Sequence, residues 1–293
     1  MGFSMTPEEK QKILNQNLRE FEKRRDLADQ QKALTALELA QLYCEQHTDA
    51  INIFDIPSAL SSDFSVNDEI VFLSEICRSS LAEQIKASLF IGSSEPTSAG
   101  AHSKISYLKN RYNDIAFEHF SHTVANAKPD YASSFAECCE SVFDGRCEYC
   151  ILPIMNSSDG RLMSFYSLLD RYELKICATV DIDKDDSSIS FKHALIGRSC
   201  KEQRQRSQRA QRYTFEFSLI SEGTEFFSPL LEAANRLGAK LSSIDSLPVE
   251  YAPDTQKFFF SFSLPSQGAL AFRLFVALKH QTYTPIGFYK ETN

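Results

Sequence analysis

Ser134-Phe-Ala-Glu-Cys-Cys-Glu-Ser-Val-Phe-Asp-Gly-Arg-Cys-Glu-Tyr-Cys150-Ile-Leu-Pro-Ile-Met-Asn-Ser-Ser-Asp-Gly160 joins three local signals in one stretch. Ser134 to Phe143 reads as a helix, Cys150 to Ile154 as a buried strand, and Asn156 to Gly160 as a polar turn. Working outward, Leu162 to Asp170 reads as a further helix, and Leu174 to Val180 and His193 to Gly197 as strands. Upstream, Ser88-Leu-Phe-Ile-Gly92 reads as a strand before a polar loop, and Ser103 to Tyr112 as a helix. Strands alternating with helices predict an α/β sandwich over residues 87–198.

On either side the texture differs. Residues 1–86 read as helix, with Thr6 as an N-cap before Pro7 and an acidic first turn. Leu14, Leu18, Phe21 and Leu27 recur at helical spacing. A second run covers Ala33 to Glu45, and a third Asn67 to Leu89, capped by Asn67 or Ser65. Three helices in an open array bury little alone, so pairing with a second copy is expected. Residues 199–212 form a polar, basic linker, best read as a solvated connector. From Tyr213 the order is strand, helix, strand, strand, helix, strand, the split-βαβ arrangement, over residues 213–293.

Composition narrows the function classes. The 43% hydrophobic content of 293 residues suffices for more than one core. A formal charge of −8 argues against nucleic acid, and no apolar run approaches the roughly 20 residues of a membrane span. The first residues lack the basic-then-apolar order of a secretory leader. Eight cysteines without an export signal read as reduced thiols in the cytoplasm. Cys147-Glu-Tyr-Cys150, with Cys138 and Cys139 nearby, could suggest zinc or redox chemistry. Its second cysteine lies on an extended strand, so buried thiols are the simpler reading, and neither a metal nor a cofactor is expected.

The stretch 134–160, continued by Phe165-Tyr-Ser-Leu-Leu-Asp170, resembles the prephenate dehydratase segment that ends Pro-Ile-Glu-Asn-Ser-x-x-Gly. Arg24-Arg-Asp-Leu-Ala28 and Ile76 to Gln84 are similar to the first and last helices of a chorismate mutase domain. Ile244-Asp-Ser-Leu-Pro248 stands where an ACT domain has Glu-Ser-Arg-Pro. The whole therefore resembles the bifunctional chorismate mutase–prephenate dehydratases. The fold this implies is α+β: a three-helix mutase-like head, one α/β lobe of the dehydratase (periplasmic-binding-protein-like) type, and a ferredoxin-like ACT tail.

Departures from the family bear on chemistry. A dehydratase has two lobes facing its active site, yet Leu174–Val180 passes almost directly to Phe191–Gly197, which resembles the strand returning after lobe two. Met155 replaces the loop glutamate, and Phe191, Lys192 and His193 stand where the family has Thr-Arg-Phe. Dehydration needs a proton donor and cations for two carboxylates. The resemblance assigns Asn156, Ser157 and Ser158 to the substrate loop, although closing a turn is an equally good role for them. It assigns Arg24, Glu83 and Gln84 as mutase remnants, but the 45 residues between Lys32 and Arg78 hold no cation and eight carboxylates. Asp245, Ser246 and Pro248 are its candidate ACT ligand contacts, with Phe226 and Phe227 placed to fill that pocket. The expectation is a non-catalytic or regulatory homodimer binding an aromatic amino acid, a shikimate-pathway metabolite or a pathway partner. The alternatives are an enzyme retaining mutase activity, with dehydratase activity less favoured, or a dimeric interaction scaffold.

Overall fold

The two helical runs expected before residue 46 are a single helix, α1 (Pro7–Gln46). No glycine or proline interrupts Glu8 to Gln46, and Asp29-Gln-Gln-Lys32 between the runs is polar without breaking a helix. The structure, a computed structural model, describes residues 7–47, 51–60, 62–89, 103–183, 190–200, 212–250 and 252–291. Thr6 lies outside these residues, as does most of the linker; of the strand expected over Ser88–Gly92, residues 90–92 lie outside them, and Ser88 is helical and Leu89 a turn instead. The chain divides into two compact units, Met1–Ser88 and Leu89–Asn293.

In the first unit only the C-terminal part of α1 is covered. Ala36, Ala40 and Tyr43 are buried, and the Tyr43 ring meets Phe72 of α2 (Val66–Ile76) edge-on at 6.0 Å. Residues 10–32 are exposed throughout. Ser65 is the cap of α2: its hydroxyl accepts from Asp68 N at 3.3 Å while the Asp68 carboxylate accepts from Ser65 N at 3.0 Å. The third expected helix is broken after Ile76. Ser79 closes the break, donating to Ile76 O at 2.7 Å and accepting from Leu81 N at 3.1 Å before α3 (Ala82–Ser88) begins.

The second unit is built on one ten-stranded sheet. Its lobe comprises β1 (Lys104–Leu108), α4 (Arg111–Ser121), β2 (Lys128–Ala132), α5 (Phe135–Phe143), β3 (Tyr149–Asn156), β4 (Gly160–Arg161), α6 (Met163–Arg171), β5 (Lys175–Asp183) and β6 (Ser190–Gly197). The helix expected over 103–112 is corrected here. Ile105, Ser106 and Tyr107 are buried on both faces of a strand lying parallel between β2 and β3, and only at Asn110 does a side-chain cap start α4. Ser134 likewise caps α5. One core layer gathers Cys138, Leu152, Ile154 and Tyr166 under α5 and α6; the other gathers Tyr107, Phe120 and Ile151 under α4.

The remaining elements are β7 (Arg212–Ser221), α7 (Phe227–Arg236), β8 (Lys240–Val249), β9 (Ala252–Pro265), α8 (Ser266–Lys279) and β10 (Thr284–Lys290), the expected βαββαβ order. The two halves are not separate sheets. Strand order runs β2-β1-β3-β6-β5-β10-β7-β9-β8, and the seam is the parallel pair β5–β10, where Gly287 lies beside Ile176. A Cβ on Gly287 would stand 2.9 Å from the Ile176 carbonyl oxygen, so the seam needs glycine there.

The expectation of uniformly reduced thiols fails for one pair. Cys177 and Cys200 form a disulfide, 4.9 Å between Cα atoms. Cys177 falls at the irregularity between Ile176 and Ala178 in the β5–β6 ladder, which lifts it out of the regular alternation.

Candidate functional site

The loop after β3 is held by its own polar groups. Asn156 Oδ1 accepts from Ser158 N at 3.0 Å and from Ser158 Oγ at 2.9 Å, while Asn156 Nδ2 donates to Asp159 at 2.8 Å. Ser157 N donates to Ser190 O, and Ser190 N donates to Ser157 Oγ, both at 2.9 Å. Asn156, Ser157 and Ser158 are thus brought together, in a side-chain-closed turn stitched to the start of β6. Opposite lie the residues standing for Thr-Arg-Phe. Lys192 pairs with Asp181 at 3.7 Å, and the Phe191 ring meets Tyr112 at 5.8 Å. His193 is buried, its Nδ1 has no partner, and burial pulls its pKa down to about 4. A histidine held neutral supplies no cation for a carboxylate.

The mutase-like residues are dispersed within their unit. Arg24 is exposed on α1, and among the described residues no hydrogen bond or ion pair joins it to Glu83 or Gln84. Glu83 pairs with Lys86 at 2.6 Å on the open face of α3. Gln84 Oε1 accepts from Ile51 N at 2.9 Å, a structural staple.

In the βαββαβ half, Ser246 and Pro248 are exposed on β8, an edge strand, while Asp245 is held from below by Arg161 at 2.9 Å. Phe226 stacks on Phe227 at 4.4 Å and meets Phe258 at 5.4 Å; Phe227 reaches Phe260 at 5.7 Å. Phe258 and Phe260 are the cross-strand partners of Ser246 and Ile244, so aromatic rings occupy the ground beside the candidate contacts.

A buried ion-pair cluster escapes the family resemblance. Arg161 and Glu216, with side chains 2% and 4% exposed, lie 3.5 Å apart at the seam. Arg161 also donates to Phe259 O at 3.1 Å and Ser243 Oγ at 2.9 Å, and its guanidinium lies over the Tyr166 ring. Glu216 accepts from the hydroxyls of Tyr166, at 2.7 Å, and Tyr289. One signal was available. Glu216 alternates with Phe215 and Phe217 in a strand that reads as buried, where a carboxylate demands partners.

The four clustered cysteines are core residues. Burial pushes Cys138 up to about 12 and Cys147 to about 11, and also holds Cys150 well above its ordinary value. Among the described residues, no group of three or more His, Cys, Asp or Glu could hold a metal. None of the described helices is long and apolar enough to cross a membrane.

The fold and the turn define an α/β lobe continuous with a split-βαβ half, and comparison with known proteins places the lobe. The family described as prephenate dehydratase matches residues 109–201, from α4 to just past β6. No curated protein matches the chain. Similar solved structures include GqqA, of a novel type of quorum-quenching acylases, and the prephenate dehydratase of Streptococcus mutans. Each is 16% identical over 64% of this chain; the TM-scores are 0.50 and 0.51, and 95% and 98% of those chains are covered. The prephenate dehydratase of Arthrobacter aurescens in complex with L-Phe aligns over 64% of this chain and 90% of its own, with 14% identity and a TM-score of 0.48. At such identities the likeness is one of fold. The chain is prephenate-dehydratase-like in its lobe.

Proposed function

We propose that the chain is a non-catalytic or regulatory relative of the chorismate mutase–prephenate dehydratases, a dimer that binds an aromatic metabolite or a pathway partner. One observation carries the reading. β5 and β6 are adjacent antiparallel strands, Asp183 opposite Ser190, with six residues between them. The resemblance places a dehydratase's second lobe at that connection, and six residues cannot fold one. The candidate loop residues are also engaged in closing their own turn: Asn156 bonds Ser158 and Asp159, and Ser157 Oγ accepts from Ser190 N.

Support for a dimer comes from α1. Leu14, Leu18 and Phe21 are each more than half exposed on a 23-residue stretch, roughly 35 Å of helix, that no described residue of the unit covers. On this reading the βαββαβ half acts as an ACT-like domain whose contacts at Asp245, Ser246 and Pro248 have become architectural. Retained mutase activity has less support, because Arg24 stands alone and Gln84 is engaged by the backbone.

A thermal-shift panel of phenylalanine, tyrosine, tryptophan, prephenate and chorismate tests the ligand reading. Ligand at a hundredfold its Kd stabilises by about 2.7 kcal/mol, an easily measured rise in Tm. The expected result is a rise with at least one member. No rise with any of them would favour an interaction scaffold instead.

A further inference from the structure

Between α6 and the start of β10 the second unit holds an open cleft of about 800 Å³, within the range of small-molecule sites. None of the residues the family resemblance assigns lines it.

Two cations do. Lys175 lies opposite Gly197 across the β5–β6 ladder, so Arg198, the next residue, reaches the same end of the sheet. Lys175 Nζ donates to Pro285 O at 2.8 Å and keeps two further donors. The Arg198 guanidinium approaches Gly145, 3.3 Å from where a Cβ would stand there, and among the described residues it makes no hydrogen bond or ion pair. Three carboxylates share the rim. Glu148 accepts from Ser103 and Tyr149, and Asp170 pairs with Lys257 at 2.5 Å. With Lys257 the rim carries three cations against three carboxylates and is neutral overall; of the three cations Arg198 is the one that makes no hydrogen bond or ion pair among the described residues.

The remaining wall is apolar. Phe143 is 51% exposed at the end of α5, its ring 5.8 Å from Tyr172, with Leu169 and Leu174 buried beneath. We propose that this cleft binds a small monocarboxylate carried on an aromatic body, its carboxylate between Lys175 and Arg198 and its ring against Phe143 and Tyr172. The proposal rests on the aromatic-metabolite reading above and gives it a place. Arginine offers a carboxylate paired donors, and burial, which pulls the Lys175 ammonium below its ordinary value, is offset by an incoming anion.

Titration calorimetry of the full chain with 3-phenylpropionate and its neutral amide, 3-phenylpropanamide, is the test. Arg198 is exposed and has no partner among the described residues, so Arg198→Ala keeps the fold, which an unchanged Tm verifies. The acid is expected to bind, and both the amide and Arg198→Ala are expected to lose about tenfold or more in affinity, the worth of one charged hydrogen bond. Arg198→Lys should recover part of the loss. Failure of the acid to bind, equal binding of acid and amide, or unchanged binding by Arg198→Ala would each overturn the cleft assignment. The aromatic-metabolite reading falls only if the wider panel is also silent.

Discussion

Arg161 is the side chain on which the join between the two halves of the sheet turns. Its partners come from β7, β8 and β9, while it is itself carried by the turn after β3. Removing one member of a buried pair leaves the other charge in a low-dielectric interior. Arg161→Ala should therefore lower stability by about 3–5 kcal/mol in urea unfolding. Asp245→Ala should cost clearly less, because the Asp245 side chain is 34% exposed and water can take the place of its partner. His193 supplies a second prediction. Burial holds its pKa near 4, below the usual 6.5, so between those values the unfolded chain binds the proton more readily than the folded one. Its contribution is intact above about pH 6.5 and is lost as pH falls towards 4, by about 3 kcal/mol in all. His193→Leu should flatten that slope. His280, also lowered by burial, stays in both proteins, so the difference between their stability–pH curves isolates His193.

Among the elements, the seam between β5 and β10 depends on close backbone approach. Gly287→Ala would push a methyl against Ile176, and overpacking of this kind costs about 1–3 kcal/mol. Hydrogen exchange should show the lost protection concentrated in β5 and β10, not in β1 or β2. The same contrast explains what could be read from the sequence. α5, β3 and the turn after it carry their instructions locally: a Ser134 cap, an apolar run and an Asn156 side chain folding back on its own loop. The βαββαβ order was legible because each strand there alternates or ends at a glycine or proline. β1 was misread because a parallel strand buried on both faces has no period-two pattern to announce it. The break at Ser79 turns on hydroxyl bonds that spacing cannot forecast. The seam, the Cys177–Cys200 bond and the partners of Arg161 join residues 23 to 111 positions apart, and one sequence does not say which distant segments meet.

At the scale of the whole molecule, a dehydratase-like lobe has been welded to a βαββαβ half by one sheet, and a long helix with an uncovered apolar stripe stands in a separate unit. Sedimentation should find a dimer, and Leu14→Glu with Leu18→Glu should give a monomer whose lobe is still folded; a wild-type monomer would remove the pairing. The cleft beside Arg198 is where binding is expected, and the turn at Asn156 is where chemistry is not. The most direct test of that absence follows chorismate loss and prephenate turnover by absorbance with the purified full chain. The expected result is no turnover of either compound above the uncatalysed rate. Clear turnover that disappears in Arg24→Ala would contradict it.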